Sequence, residues 1–153
     1  MGSTPDVLLL YLQVSWRFRR LYDRMFTELL RQYDLSPCER DILLFLYNHP
    51  EHDTASAIVR YRSISKSLVS RSIERLGAIG YLKTAPDPAD RRQIRLAITE
   101  KALPIVQALH AAQDRCRQVF RECFSDTEYQ ELYRLLDQAD HNINRYLKGE
   151  PNA

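Results

Sequence analysis

The sequence is poor in the features that mark most enzymes and membrane proteins. Its 153 residues include only four glycines, and none opens a Gly-rich loop able to cradle a phosphate. It has three cysteines, Cys38, Cys116 and Cys123. An odd number at no metal-ligand spacing argues against a disulfide framework and for a reducing cytosol. His49, His52, His110 and His141 show no ligand spacing either, and no nucleophile stands at motif distance from a base. No segment approaches the ~20 apolar residues needed to cross a bilayer. The run Val7-Leu8-Leu9-Leu10 is short and lacks a basic leader, which argues against a signal peptide. Catalysis, a metal, a cofactor and a membrane partner are therefore not expected. No internal repeat or low-complexity stretch is visible.

What is present is an ordinary globular composition. Hydrophobic residues make up 44% of the chain, enough for one core, and charged residues 27%, too few for disorder. The formal net charge of +2 conceals an asymmetry. Between Arg60 and Arg95 nine Lys/Arg (Arg60, Arg62, Lys66, Arg71, Arg75, Lys83, Arg91, Arg92, Arg95) face three acids (Glu74, Asp87, Asp90), a net of +6. The remainder, with 13 basic and 17 acidic residues, carries −4. A basic block in an acidic chain is the electrostatic footprint of a polyanion partner.

The spacing predicts a long helix over 6–33, with Leu10, Val14, Phe18, Leu21, Met25 and Leu29 recurring every three or four residues. Asp34-Leu35 breaks it. Ser36-Pro37-Cys38-Glu39 then reads as a capping box with proline at the first helical position. That second helix turns Ile42, Leu43, Phe45 and Leu46 inward and ends at His49-Pro50. Asp53-Thr54 caps a third helix with Ala55, Ile58 and Val59 inward. A tight turn at Arg62-Ser63-Ile64 leads to Ser65, the cap of a fourth, which is helix-turn-helix spacing. In the fourth helix Val69, Ile73 and Leu76 share one face, while Ser67, Ser70, Arg71 and Glu74 lie off it. Tyr81–Thr84 and Gln93–Ile98 read as strands, the second burying Ile94, Leu96 and Ile98 on alternate positions. A fifth helix starts at Thr99-Glu100-Lys101 and runs to about Phe124, with Pro104 expected to bend it. Ser125-Asp126-Thr127-Glu128 opens a last helix to about Leu147, and 149–153 should fray.

A helix with one apolar and one Ser/Lys/Arg face, followed by the hairpin tip Asp87-Pro88-Ala89-Asp90-Arg91-Arg92, suits DNA. The helix can occupy the major groove while the hairpin reaches the backbone or minor groove. The residues Ser65-Lys66-Ser67-Leu68-Val69-Ser70-Arg71 through Arg75-Leu76 and Gly80-Tyr81-Leu82 resemble the recognition helix of the MarR family of winged-helix transcription regulators. Asp90-Arg91-Arg92-Gln93-Ile94-Arg95 through Thr99-Glu100-Lys101 resembles the family's wing and the helix start beyond it. Asp90 and Arg92 meet the family's Asp-x-Arg wing signature. Leu68 departs from the small polar residue more usual at its place, and Ala102 from a glycine.

The resemblance implies a mainly α fold, a winged helix-turn-helix lobe over 34–99 flanked by dimerisation helices at 6–33 and 100–148. It implies a cytoplasmic homodimer on a palindromic operator of double-stranded DNA, usually repressing, and released by a small phenolic or anionic effector. The expected DNA contacts are Ser65, Lys66, Ser67, Leu68, Ser70 and Arg71 on the helix, with Arg92 in the minor groove, held by Asp90. Arg75, Lys83, Arg91 and Arg95 are expected to hold phosphates or brace the wing. Tyr11, Tyr22 and Tyr33 recur every eleven residues, so they share one face of the first helix. With Cys38 they are the candidates for an effector site. Two alternatives stay open: a thiol switch at Cys38, in the first turn of a capped helix, and an interaction module that has kept the fold without DNA. Cys116 and Cys123, seven apart, read as packing residues.

Overall fold

The computed structural model describes residues 6–149; the fraying expected of 150–153 lies outside them. In chain order the elements are α1 (Val7–Tyr33), α2 (Pro37–Asn48), α3 (Ala55–Arg62), α4 (Lys66–Ala78), β1 (Leu82–Pro86), β2 (Ile94–Ile98), α5 (Leu103–Arg121) and α6 (Asp126–Leu147). Local chemistry accounts for most boundaries. The Asp6 carboxylate accepts the Leu9 N–H and starts α1. Asp34 ends it in left-handed backbone, φ 50°. Ser36 and Glu39 form the capping box of α2, and Ser125 and Glu128 that of α6. Thr54 and Ser65 cap α3 and α4. Gly80 leaves α4 at φ +79°, where a Cβ would be strained.

α5 begins later than the sequence suggests. Thr99 spends its hydroxyl on the Gly80 carbonyl, 2.6 Å away, and turns the chain before the helix starts at Leu103. Pro104 therefore falls in the first turn, where a missing N–H leaves no helical bond unmade, and has no mid-helix position from which to bend α5.

α2 is the central core helix. Ile42 through Leu46 are all buried, joined by Phe26 of α1, Ile58, Val69, Leu76, Leu82, Leu96, Val106 and Leu109. Two inward assignments differ. Ala55 is exposed at the start of α3, and Ala57 packs on the core instead. Ile94 is 46% exposed although Leu96 is buried. The two-stranded antiparallel sheet pairs Leu82 with Ile98 at one end and Pro86 with Ile94 at the other. The Leu82 end meets the core and the Ile94 end runs beyond it.

By compactness the chain divides within α5, into Met1–Asp114 and Arg115–Ala153. The first unit contains α1 together with the whole winged lobe. In the second, Phe120 meets Phe124 and Tyr129 edge-on, and Arg121 lies over the Tyr129 ring and pairs with Asp126. No described helix is long and apolar enough to cross a membrane.

Candidate nucleic-acid interface

The recognition face follows from what α4 buries. Val69, Ser72 and Leu76 turn into the core, which leaves Lys66, Ser67, Leu68, Ser70 and Arg71 exposed. Ser65 spends its hydroxyl on capping, accepting the Leu68 N–H at 3.4 Å. Arg71 lies along its own helix, with Nε donating to the Ser67 carbonyl at 3.4 Å. It is in no ion pair among the described residues, so it can swing outward.

The wing is ordered by carboxylates. Asp87 is buried, and its Oδ1 accepts the N–H groups of Ala89 and Asp90 at 2.7 and 3.1 Å. Those two bonds, with Arg95 beside the same carboxylate, hold its carboxyl below the usual range. Asp90 holds Arg92 through the backbone: its Oδ1 accepts the Arg92 N–H at 3.1 Å, and its carbonyl accepts the Gln93 N–H. The Arg92 guanidinium is in no ion pair among the described residues, and it is exposed with Arg91 and Lys83.

Two arginines of the basic block are engaged inside the protein. Arg95 donates from Nε to Asp87 Oδ2 at 2.6 Å and pairs through Nη1 with Asp53. The Asp53 carbonyl also accepts the Leu96 N–H, so the start of α3 and the wing are joined twice. Arg95 thus braces the wing. Arg75 corrects the phosphate-holding expectation. Its Nη1 donates to Glu39 Oε2 at 2.7 Å and its Nη2 to Asp34 O and Oδ2 at 2.8 and 2.7 Å. These bonds satisfy the guanidinium away from the face bearing Lys66 and Ser70. Asp53, Asp87, Asp34 and Glu39 were not among the sequence candidates. Only Asp87 carried a local signal, an aspartate preceding Pro88 in a turn and able to accept N–H groups two and three residues ahead.

The recognition helix and wing border one groove. A cavity of about 600 Å³ has Val59, Val69, Ile73 and Leu96 in its lining, and Lys66, Ser70 and Arg92 line it as well. The major-groove candidates and the minor-groove candidate are therefore on one surface.

The effector candidates do not form a single site within the chain. At 1.5 Å per residue Tyr11 and Tyr33 are about 33 Å apart along α1. Tyr11 is exposed, while Tyr33 and Cys38 are half-buried against the core. Tyr22 is the one in a polar cluster. Its hydroxyl accepts from Gln113 Nε2 at 3.2 Å, and Gln113 Oε1 accepts from Asn48 at 2.8 Å. The buried Arg40 guanidinium lies over the Tyr22 and Phe26 rings and bonds Asp23 and Asp41 at 3.0 and 2.8 Å. Burial pushes the Tyr22 hydroxyl pKa up. Nearby on α5, His110 pairs with Asp114 through Nε2 at 3.2 Å, while its buried Nδ1 has no hydrogen-bond partner among the described residues. Of the other cysteines, Cys116 is buried, which pushes its thiol pKa up, as its packing reading requires. Cys123 is exposed and donates to the Val119 carbonyl, so it does not pack as expected. No group of three metal-ligating side chains occurs among the described residues.

Residues 33–93 match the model of the MarR family. The chain is 27% identical over 125 residues to the HTH-type transcriptional repressor IacR of Pseudomonas putida, covering 80% of this chain and 72% of IacR. It is 26% identical over 129 residues to the HTH-type transcriptional regulator PecS of Dickeya dadantii, covering 83% and 78%. Among solved structures it resembles the S. aureus MepR–DNA complex, with a TM-score of 0.75, 17% identity and coverage of 90% and 96%. It also resembles BpsR of Bordetella bronchiseptica, whose DNA binding is regulated by 6-hydroxynicotinic acid, with a TM-score of 0.66, 20% identity and coverage of 92% and 96%. Exposed recognition helix, carboxylate-ordered wing, the family match over residues 33–93 and these relatives together support one assignment, a regulator of the MarR family with the winged helix-turn-helix fold.

Proposed function

We propose that the protein is a cytoplasmic repressor that binds a palindromic operator as a homodimer and leaves it when a small anionic or phenolic molecule binds. The observation that carries the DNA reading is the shared groove, which sets Lys66 and Ser70 beside Arg92. Each subunit presents Lys66–Arg71 to a major groove, with half-sites about one helical turn apart or slightly more. Arg92 enters the flanking minor groove, and Arg91 and Lys83 meet phosphates. A surface that has only kept the fold would have no reason to hold an unpaired arginine at the tip of an ordered wing.

The effector reading is supported by the cluster around Tyr22. A carboxylate would take the place of the half-exposed Asp23 on the Arg40 guanidinium, and a phenol would find the Gln113 and Asn48 amides. BpsR, a similar fold, answers to a small aromatic acid.

The test is selection of bound sequences from random duplex DNA, followed by titration of the selected site at several salt concentrations. A palindromic consensus is expected, with log K falling by about 0.9 per phosphate contact per unit of log salt. Absence of enrichment, or binding indifferent to salt, would contradict the reading.

A further inference from the structure

Arg75 stands in the last turn of the recognition helix, and its bonds reach 36 and 41 residues back along the chain. They meet at the junction of two other helices. Asp34 is the left-handed residue that closes α1. Glu39 lies in the first turn of α2, its side chain 4% exposed, and its Oε2 also accepts the Ser36 N–H at 2.8 Å. One guanidinium therefore ties the end of α1, the start of α2 and the end of α4. The other large contacts of α4, through Val69 and Leu76, are apolar. Apolar ridges and grooves leave a helix's rotation and slide some latitude, about 15–20° in crossing angle. Three directed N–H bonds do fix them, and a lysine ammonium could not reproduce the planar fork.

We propose that Arg75 is a positioning residue that sets the angle at which α4 presents Lys66–Arg71, and so the separation between half-sites the protein accepts. The inference rests on the proposed operator-binding homodimer. α1 bears at its other end the exposed apolar residues Val7–Leu10, Leu12 and Val14, which we take as part of the dimer seam, so the clasp links that seam to the recognition helix within one chain. The lever is long: α1 has 27 residues, so it spans about 40 Å. A tilt of roughly 5° moves its end by about 3.5 Å, close to the rise of one base pair.

The experiment keeps the selected half-sites constant and varies the spacer between them by single base pairs. Wild type should prefer one spacing by about tenfold over its neighbours. Glu39→Gln with Arg75→Met removes the clasp without stranding a buried charge, and glutamine preserves the capping box. That double variant should bind neighbouring spacings within about threefold of the best one, with an unchanged half-site consensus. Arg75→Lys should fall between. Arg92→Ala is the control, lowering affinity at every spacing alike. A folded double variant with the wild-type spacing profile, or one weakened uniformly like the control, overturns the inference. If the double variant does not fold, Arg75→Lys decides: a broadened profile supports the clasp and a wild-type profile overturns it. Wild type that binds no duplex would remove the DNA reading and this inference together, whereas an unchanged profile in variants of a DNA-binding wild type removes this inference alone.

Discussion

Ser63 holds the turn between α3 and α4 in left-handed backbone, φ 52° and ψ 37°, which costs an L-residue about 1–2 kcal/mol. Glycine avoids that strain but loses more freedom on folding. Ser63→Gly should therefore raise stability by about 0.5–1 kcal/mol, and Ser63→Val should lower it by more. Denaturant titration checks both, and a lower midpoint for the glycine variant would show that Ser63 carries a contact outweighing its strain. The arginines proposed to face DNA call for a different measurement. Arg71→Ala should cost about 1–3 kcal/mol of binding and relax the preference at one position per half-site. Arg92→Ala should weaken binding and leave the core consensus intact, since the minor groove separates little beyond A·T from G·C. Identical consensus sequences for wild type and both variants would remove base reading from Arg71.

At the scale of elements, the wing depends on one carboxylate. Asp87 is held below the ordinary carboxylate range by the amides of Ala89 and Asp90, with Arg95 alongside. A group whose folded pKa is depressed contributes stability that is present above its unfolded value, about 3.9, and is lost as pH falls through the lower folded value. The wing should accordingly keep its order from neutral pH down to about 4 and lose it below. Amide exchange at Ala89 and Asp90 reports this directly, and loss of protection between pH 7 and 5 would contradict the assignment. Asp87→Ala should unlock the same amides at neutral pH and weaken DNA binding while the helical core melts unchanged. Helix ends, by contrast, were readable residue by residue. Both capping boxes and the Thr54 and Ser65 caps occur where the sequence places them, because a cap is a contact over three residues.

For the whole molecule, the exposed apolar residues are the guide. Val7–Leu10, Leu12 and Val14 on α1 are each about half exposed or more, as are Ile143 and Leu147 on α6. Exposed large apolar residues in such number mark an interface, and light scattering at micromolar concentration should give twice 18.0 kDa. A monomer would sink the homodimer. Release from DNA should follow a ligand and not an oxidant. A ligand shifts the balance between operator-matching and mismatched states only by its differential affinity, and moving from 1:99 to 99:1 needs about 5.5 kcal/mol. Aromatic acids should dissociate the complex of wild type and of Cys38→Ser alike. Dissociation by peroxide in wild type alone would instead assign the switch to Cys38.

The sequence by itself determined what depends on short range: helix periods, caps, the turn between α3 and α4, and the face of α4 left exposed by burial of Val69 and Leu76. Its motif from Ser65 to Lys101 was enough to reach the resemblance that the match over residues 33–93 supports. The tertiary structure decided which charges are engaged. Arg75 and Arg92 look alike in a basic block, yet one is bonded to Asp34 and Glu39 and the other is exposed at the wing, in no ion pair among the described residues. Arg95 likewise finds Asp53 across 42 residues. Tyr11, Tyr22 and Tyr33 share a helical face, but only Tyr22 meets Gln113, 91 residues away. Periodicity specifies the side of a helix on which a residue lies. What waits on that side is set by packing of segments distant in the chain, and a single sequence carries no local trace of it.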